Sequence, residues 1–205
     1  MSVPNNIILY NYAFSPFGKR ISAYLALRGI DYALCVRHVP KSPTRTLLTS
    51  QEQPFTMPRP DLAMLPVHYR RIPVLAIGRD IYLDTRLILR TLESLPNIPS
   101  PRLGSTKPQD VFVEKLLERY MIEGPVFAQA AGLVPVDVAQ DPKFLKDRQG
   151  MLGRTWSREE LDEGRGECLT YIKNLYDLFE TTILADGREW ILGSEGPKLA
   201  DIEGE

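Results

Sequence analysis

The chain has 205 residues, 43% hydrophobic and 25% charged, with 25 Lys and Arg against 26 Asp and Glu and a formal net charge of −1. That length holds one large or two small domains with a proper core. The near-neutral balance argues against a dedicated nucleic-acid binder, which carries a basic excess, and no apolar run approaches the roughly 20 residues of a membrane span.

Residues 1–6 carry neither a basic n-region nor a long apolar stretch, so no secretory leader is expected. The apolar run 7–10 reads as a first buried strand. Residues 11–14 form a loop. Ser15-Pro16 is a helix start, with serine as cap and proline at the first helical position. Phe17, Ile21, Tyr24, Leu25 and Arg28 recur at spacings of three and four, and Gly29 suits the position after the helix. Residues 31–39 read as a second strand, with 32–36 as its apolar run. A strand–helix–strand order predicts a parallel pair with a right-handed crossover.

Residues 40–69 are harder to read. Six prolines, Pro40, Pro43, Pro54, Pro58, Pro60 and Pro66, exclude a long helix. A short helix over 44–53 and a turn over 61–65 are compatible with the pattern. The segment reads as a lid, a partner surface or a surface excursion without function.

Residues 70–85 organise the first half. Residues 74–77 are a short apolar run of strand length, Gly78 to Asp80 supplies a turn, and 81–83 are apolar again. Pro73 stands where a strand should begin. It lacks an N–H for a ladder, which points to an edge, a first residue or a cis bond. Such a bend would turn the backbone of Ile72 outward. Asp84-Thr85 then opens a helix predicted over 84–95 by Leu87, Ile88, Leu92 and Leu95.

The proline-rich residues 96–101 begin a linker, 96–107. From 108 the pattern is helical: one segment reaching about 131 and kinked at Gly124-Pro125, a short helix over 141–152, and a long one over 157–184. The domains predicted are therefore 1–95 and 108–205. Cys35 and Cys168 have no metal-type or paired spacing, so both are expected to stay reduced, which fits a cytosolic protein. With only His38 and His68 to join them, no zinc or other metal is expected. Residues 1–95 carry 12 basic and 6 acidic side chains, and 96–205 carry 13 and 20. A basic first half favours an anionic ligand, or the two halves simply attract each other.

Ser15-Pro16, Ile72-Pro73-Val74-Leu75 and Asp84-Thr85, in this order and spacing, resemble the thioredoxin-like domain of the cytosolic glutathione S-transferases, in particular serine-type, fungal-like members. The segment 190–202 resembles the glycine-rich entry to the core helix of that family's second domain, where an Ala-Asp pair caps the helix. Lys198 replaces the usual Ser or Thr, so the full capping box is not expected. Family members normally continue with further helices.

The resemblance implies an α/β thioredoxin-like domain followed by an all-helical, shortened domain, and glutathione as co-substrate. A free thiol has a pKa of about 8.5. A helix N-terminus and a donated hydroxyl proton both lower it. Ser15 takes that role by match, with Tyr12 as rival. A serine here, in place of cysteine, argues against a thiol reductase. Ile72, before Pro73, would pair its backbone with the cysteinyl part. Asp84 would meet the γ-glutamyl amine and Thr85 the carboxylate. Arg70 would meet the glycyl carboxylate, with Arg71 or Lys41 as alternatives. A small apolar substrate would lie against Phe14, Tyr120, Met121 and Phe127. The implied activity is a glutathione transferase, or a cis/trans isomerase using the same thiolate, in a cytoplasmic homodimer. The alternative is a non-catalytic binding or interaction module.

Overall fold

The structure, a computed structural model, describes residues 6–12, 14–35, 37–38, 50–51, 54, 56–98, 100–153 and 157–204, and of residues 37–38, 50–51 and 151–152 the backbone alone. The chain divides into two compact units, Met1–Leu103 and Gly104–Glu205.

In the first unit, strand β1 (Ile7–Tyr10) leads to helix α1 (Pro16–Leu27) and strand β2 (Ala33–Leu34). After helix α2 (Pro60–Ala63) come strands β5 (Val74–Ile77) and β6 (Asp80–Leu83) and helix α3 (Thr85–Ser94). These strands form one sheet in the order β2-β1-β5-β6, with β1 and β2 parallel and the remaining pairs antiparallel. The β5–β6 hairpin closes through Gly78-Arg79, and Gly78 adopts φ +62°, which a side chain rarely does. This mixed sheet with helices is the expected thioredoxin-like arrangement, and the second unit is helical.

The second strand differs from expectation. Only Ala33–Leu34 pairs with β1, while β3 (Arg37–His38) pairs with β4 (Ser50–Gln51) in a separate two-stranded sheet. Residues 50–51 are thus strand where a helix over 44–53 was compatible with the pattern; residues 44–49, 52 and 53 lie outside the described residues.

Side chains alternate along β1 and β5. Tyr10, Val74 and Ala76 share one cluster with Leu62 of α2 and with Ile72, flanked by Ile8, Tyr12, Leu65 and Tyr69. Leu9 and its cross-strand partner Leu75 fall on the other face and are fully buried. Helices α1 and α3 pack together, burying Ile21, Tyr24, Leu25, Ile88 and Leu92.

A polar network extends this unit past α3. Arg28, 2% exposed, donates to Tyr24 Oη, to Ser100 Oγ (3.2 Å) and to Glu93 Oε1 (3.3 Å). Tyr24 donates to the same Glu93 oxygen (2.6 Å), as does the Leu103 N–H (3.0 Å), and Ser100 Oγ donates to the Arg28 carbonyl (2.6 Å). Burial, then the Glu93 carboxylate, push the Tyr24 phenol far above its usual range. These bonds hold residues of the proline-rich stretch on the first unit, and the compact body reaches Leu103.

The second unit contains α4 (Pro108–Ile122), α5 (Pro125–Ala131), α6 (Val136–Ala139), α7 (Pro142–Leu152), α8 (Arg158–Leu178), a π-helical turn (Phe179–Ile183) and α9 (Leu199–Glu203). The kink expected at Gly124-Pro125 is a full break between α4 and α5. Pro125 opens the new helix, and a Cβ at Gly124 would lie 2.3 Å from the Tyr120 carbonyl oxygen. Helix α8 starts in a capping box, with Ser157 Oγ accepting from Glu160 N–H and Glu160 accepting from Ser157 N–H. At α9 only the acidic half of that motif operates: Asp201 accepts from the N–H groups of Lys198 and Ile191, both at 2.7 Å. The Lys198 side chain has no acceptor to offer. No described helix is long and apolar enough to cross a membrane.

Removing Glu93 strands a buried guanidinium. Glu93→Ala is expected to lower the unfolding free energy by about 3 kcal/mol, read from urea denaturation. Glu93→Gln, which keeps an acceptor for Tyr24 and Leu103, should cost less than half of that.

Candidate functional site

Ser15 caps α1. Its Oγ accepts from the Gly18 N–H at 3.1 Å, and its own N–H donates to the Tyr12 carbonyl at 3.0 Å. An accepting cap keeps its hydroxyl proton uncommitted, and among the described residues Ser15 Oγ donates to no partner. The residue is 2% exposed, set into the first turn of the helix. Pro16 follows at the first helical position. Close packing fixes that turn: a Cβ on Gly18 would lie 1.8 Å from Asn11 Oδ1, which is buried without a hydrogen-bond partner among the described residues.

The Ile72–Pro73 peptide is cis, and so is Met57–Pro58. The sheet ladder begins at Val74, and the Ile72 N–H and carbonyl take part in no hydrogen bond among the described residues. Its side chain packs into the cluster that also holds Tyr12, so the peptide before Pro73 and the loop before Ser15 share one patch of core.

Asp84 and Thr85 open α3. Asp84 is exposed and accepts from the Arg86 N–H at 2.8 Å. It holds φ 73° and ψ 129°, a region that costs a side-chain-bearing residue about 1–3 kcal/mol. Thr85 is buried, and its Oγ1 accepts from Arg20 Nη1 at 2.7 Å. A guanidinium only donates, so this bond turns the threonine proton away from Arg20. Tyr69 lies near the same end: burial raises its phenol pKa, Arg71 opposes the rise, and Asp84 adds to it.

Arg70 presents its carbonyl to Arg59 Nη1. Arg71 is exposed, and Lys41 lies outside the described residues. Phe14 is 56% exposed in the first unit. Tyr120, Met121 and Phe127 belong to the second; Tyr120 Oη lies 2.7 Å from Tyr171 Oη, and Phe127 is 40% exposed. Among the described residues no three His, Cys, Asp or Glu side chains could jointly hold a metal ion.

Sequence reading missed Arg20, Arg59 and Asn11. Arg20 had a signal. It stands three residues after Phe17 and four before Tyr24, inside the apolar stripe of α1, where a charge must find a partner. Arg59 and Asn11 had none.

Residues 9–101 match the family described as "Glutathione S-transferase, N-terminal domain". With the thioredoxin-like sheet and the helical second unit, the chain has the glutathione S-transferase fold, and the family match itself covers its first half. Residues 129–205 match a family described as "Domain of unknown function (DUF7962)". A glutathione S-transferase-like protein from Pseudomonas syringae is 24% identical; the match covers 98% of this chain and 56% of that one, with a TM-score of 0.59. The chain therefore spans little more than half of that relative's length. A glutathione S-transferase from Rhodospirillum rubrum is 18% identical over 96% of this chain and 74% of its own, with a TM-score of 0.58. A maleylacetoacetate isomerase from Anaeromyxobacter dehalogenans, with bound dicarboxyethyl glutathione and citrate, is 19% identical over 97% and 73%, with a TM-score of 0.52. No curated protein matches the chain.

Three substitutions test this geometry. Asp84→Gly relieves the backbone while a glycine cap costs only a few tenths of a kcal/mol, so a gain of about 1 kcal/mol is expected, seen as a raised Tm. Gly18→Ala should lose about 2 kcal/mol or more by overpacking against Asn11. Adding Asn11→Gly should restore most of that loss in thermal unfolding.

Proposed function

We propose that this chain binds glutathione, activates its thiol and delivers the thiolate to a small apolar electrophile. The observation that carries the reading is the capping geometry of Ser15. Its oxygen accepts from the helix, so its proton can be given to a sulfur at the N-terminus of α1. The peptide edge at Ile72 supports it, because no hydrogen bond among the described residues occupies that backbone.

The chemistry runs as follows. Bound thiol loses its proton to solvent, because the helix N-terminus and the Ser15 hydroxyl favour the anion. Sulfur then attacks the electrophilic carbon, a C–S bond forms, and the leaving group departs with its electron pair. Ile72 would pair with the cysteinyl backbone. Thr85, its proton turned away from Arg20, would donate to the γ-glutamyl carboxylate, while Asp84 would meet the amine. Arg70 would meet the glycyl end. The apolar partner would pack on Phe14, next to Ser15. Homodimerisation and a reducing, cytoplasmic setting belong to the same reading.

A second reading uses the same thiolate. Sulfur adds to a conjugated alkene, the new single bond rotates, and elimination returns glutathione with the alkene isomerised. The likeness to a maleylacetoacetate isomerase favours keeping it beside the first.

Calorimetry with glutathione and turnover of a chloronitroaromatic acceptor test the proposal on wild type, Ser15→Ala and Tyr12→Phe. Ser15→Ala should bind glutathione within about threefold of wild type. Its turnover should fall about 10- to 100-fold, the worth of one hydrogen bond to a charged group. Tyr12→Phe should keep most of the activity; the opposite ranking assigns the role to Tyr12. Tight binding without turnover of any acceptor would make the chain a binding module, and no binding would end the glutathione reading.

A further inference from the structure

The proline-rich segment that precedes the cis-proline edge contributes one side chain to the middle of this arrangement. Arg59 is 5% exposed. Its Nε donates to the Pro54 carbonyl at 2.9 Å, and its Nη1 donates to the Arg70 carbonyl, two residues before Ile72. The guanidinium carbon lies 5.6 Å from the centre of the Tyr12 ring. The Tyr12 carbonyl, in turn, accepts from the Ser15 N–H. A continuous series of contacts therefore runs from the peptide edge before Pro73, through Arg59 and Tyr12, to the serine hydroxyl.

A guanidinium suits that position for physical reasons. Its planar fork reaches two backbone carbonyls from different segments while its face stays on an aromatic ring. An ammonium is one compact charge and cannot hold both carbonyls and the ring in fixed orientation. The Pro54 and Arg70 carbonyls belong to segments outside the main sheet, so Arg59 supplies order that no strand ladder supplies.

We infer that Arg59 is a positioning residue, setting the distance between the Ser15 hydroxyl and the Ile72 peptide edge so that both meet one sulfur atom. This rests on the glutathione reading above. It gives Arg59 and the carbonyls of Pro54 and Arg70 a part in the site.

The test compares wild type, Arg59→Met and Arg59→Lys. The pH dependence of thiolate absorbance gives the thiol pKa of bound glutathione, and calorimetry with S-methylglutathione measures binding without a thiol. Arg59→Met should raise the bound-thiol pKa toward the free value, with about a tenfold loss of thiolate at neutral pH. S-methylglutathione affinity should change less than about threefold. Arg59→Lys should fail to rescue, because charge alone does not restore the fork. Amide exchange should quicken at Ser15, whose N–H donates to the Tyr12 carbonyl, and stay unchanged in β1 and α3.

An unchanged thiol pKa in a folded Arg59→Met overturns the inference. So does a parallel loss of both affinities, or rescue by lysine. Failure of both variants to fold makes Arg59 a plain structural residue and overturns it as well. If wild type itself neither binds glutathione nor lowers its pKa, the underlying reading falls instead, a result distinct from wild-type activation that survives loss of Arg59.

Discussion

Taking a guanidinium out of water costs several kcal/mol unless acceptors surround it, and among the described residues of the first unit three arginines are buried in this way. Arg20, Arg28 and Arg59 are each under a tenth exposed. Arg20 and Arg28 meet polar atoms from remote parts of the chain, the start of α3 and the end of α3 with the stretch after it, while Arg59 bridges the nearer carbonyls of Pro54 and Arg70. Hydrophobic burial alone tolerates sliding, since any apolar neighbour serves. A buried cation does not, because its acceptors must sit at hydrogen-bond distance. The apolar layers give this unit its fold, and the three arginines give it register.

That division bears on the candidate site. Ser15, Thr85 and the Ile72 peptide lie at element ends, where regular hydrogen bonding stops and backbone or side-chain groups are left over. Two of the three are tied by arginines, Thr85 directly and Ile72 through the Arg70 carbonyl. Asp84, in the same turn as Thr85, carries an unfavourable backbone angle that the surrounding structure holds in place. A binding site assembled from strained or uncommitted groups needs such external fixing to remain ready for a ligand.

The sequence made much of this legible because local chemistry and tertiary structure agree there. Ser15-Pro16 begins a helix in both, Asp84 caps α3, and Asp141 and Ser157 stand where α7 and α8 start. Where the reading failed, a distant partner decided. Residues 31–39 looked like one strand, yet β1 takes only Ala33–Leu34 and β4 takes Arg37–His38. On α4, Glu114 and Glu118 are buried, the former accepting from the Ser105 N–H, while the apolar Phe112 and Leu116 are exposed. Arg59 was invisible for a related reason: its acceptors are backbone carbonyls, and a carbonyl has no residue type by which to find it.

Asp201 accepts twice at the entry to α9. One carboxylate gathers the N–H groups of Ile191 and Lys198, so the intervening chain leaves and returns at a single side chain. Its two ends are fixed independently of its contents. Lengthening such a loop adds only the slowly growing entropy of a larger ring, about 0.6 kcal/mol per doubling. The stretch between tryptophan 190 and the last helix is thus a natural port for grafted peptides, provided the aspartate is left alone.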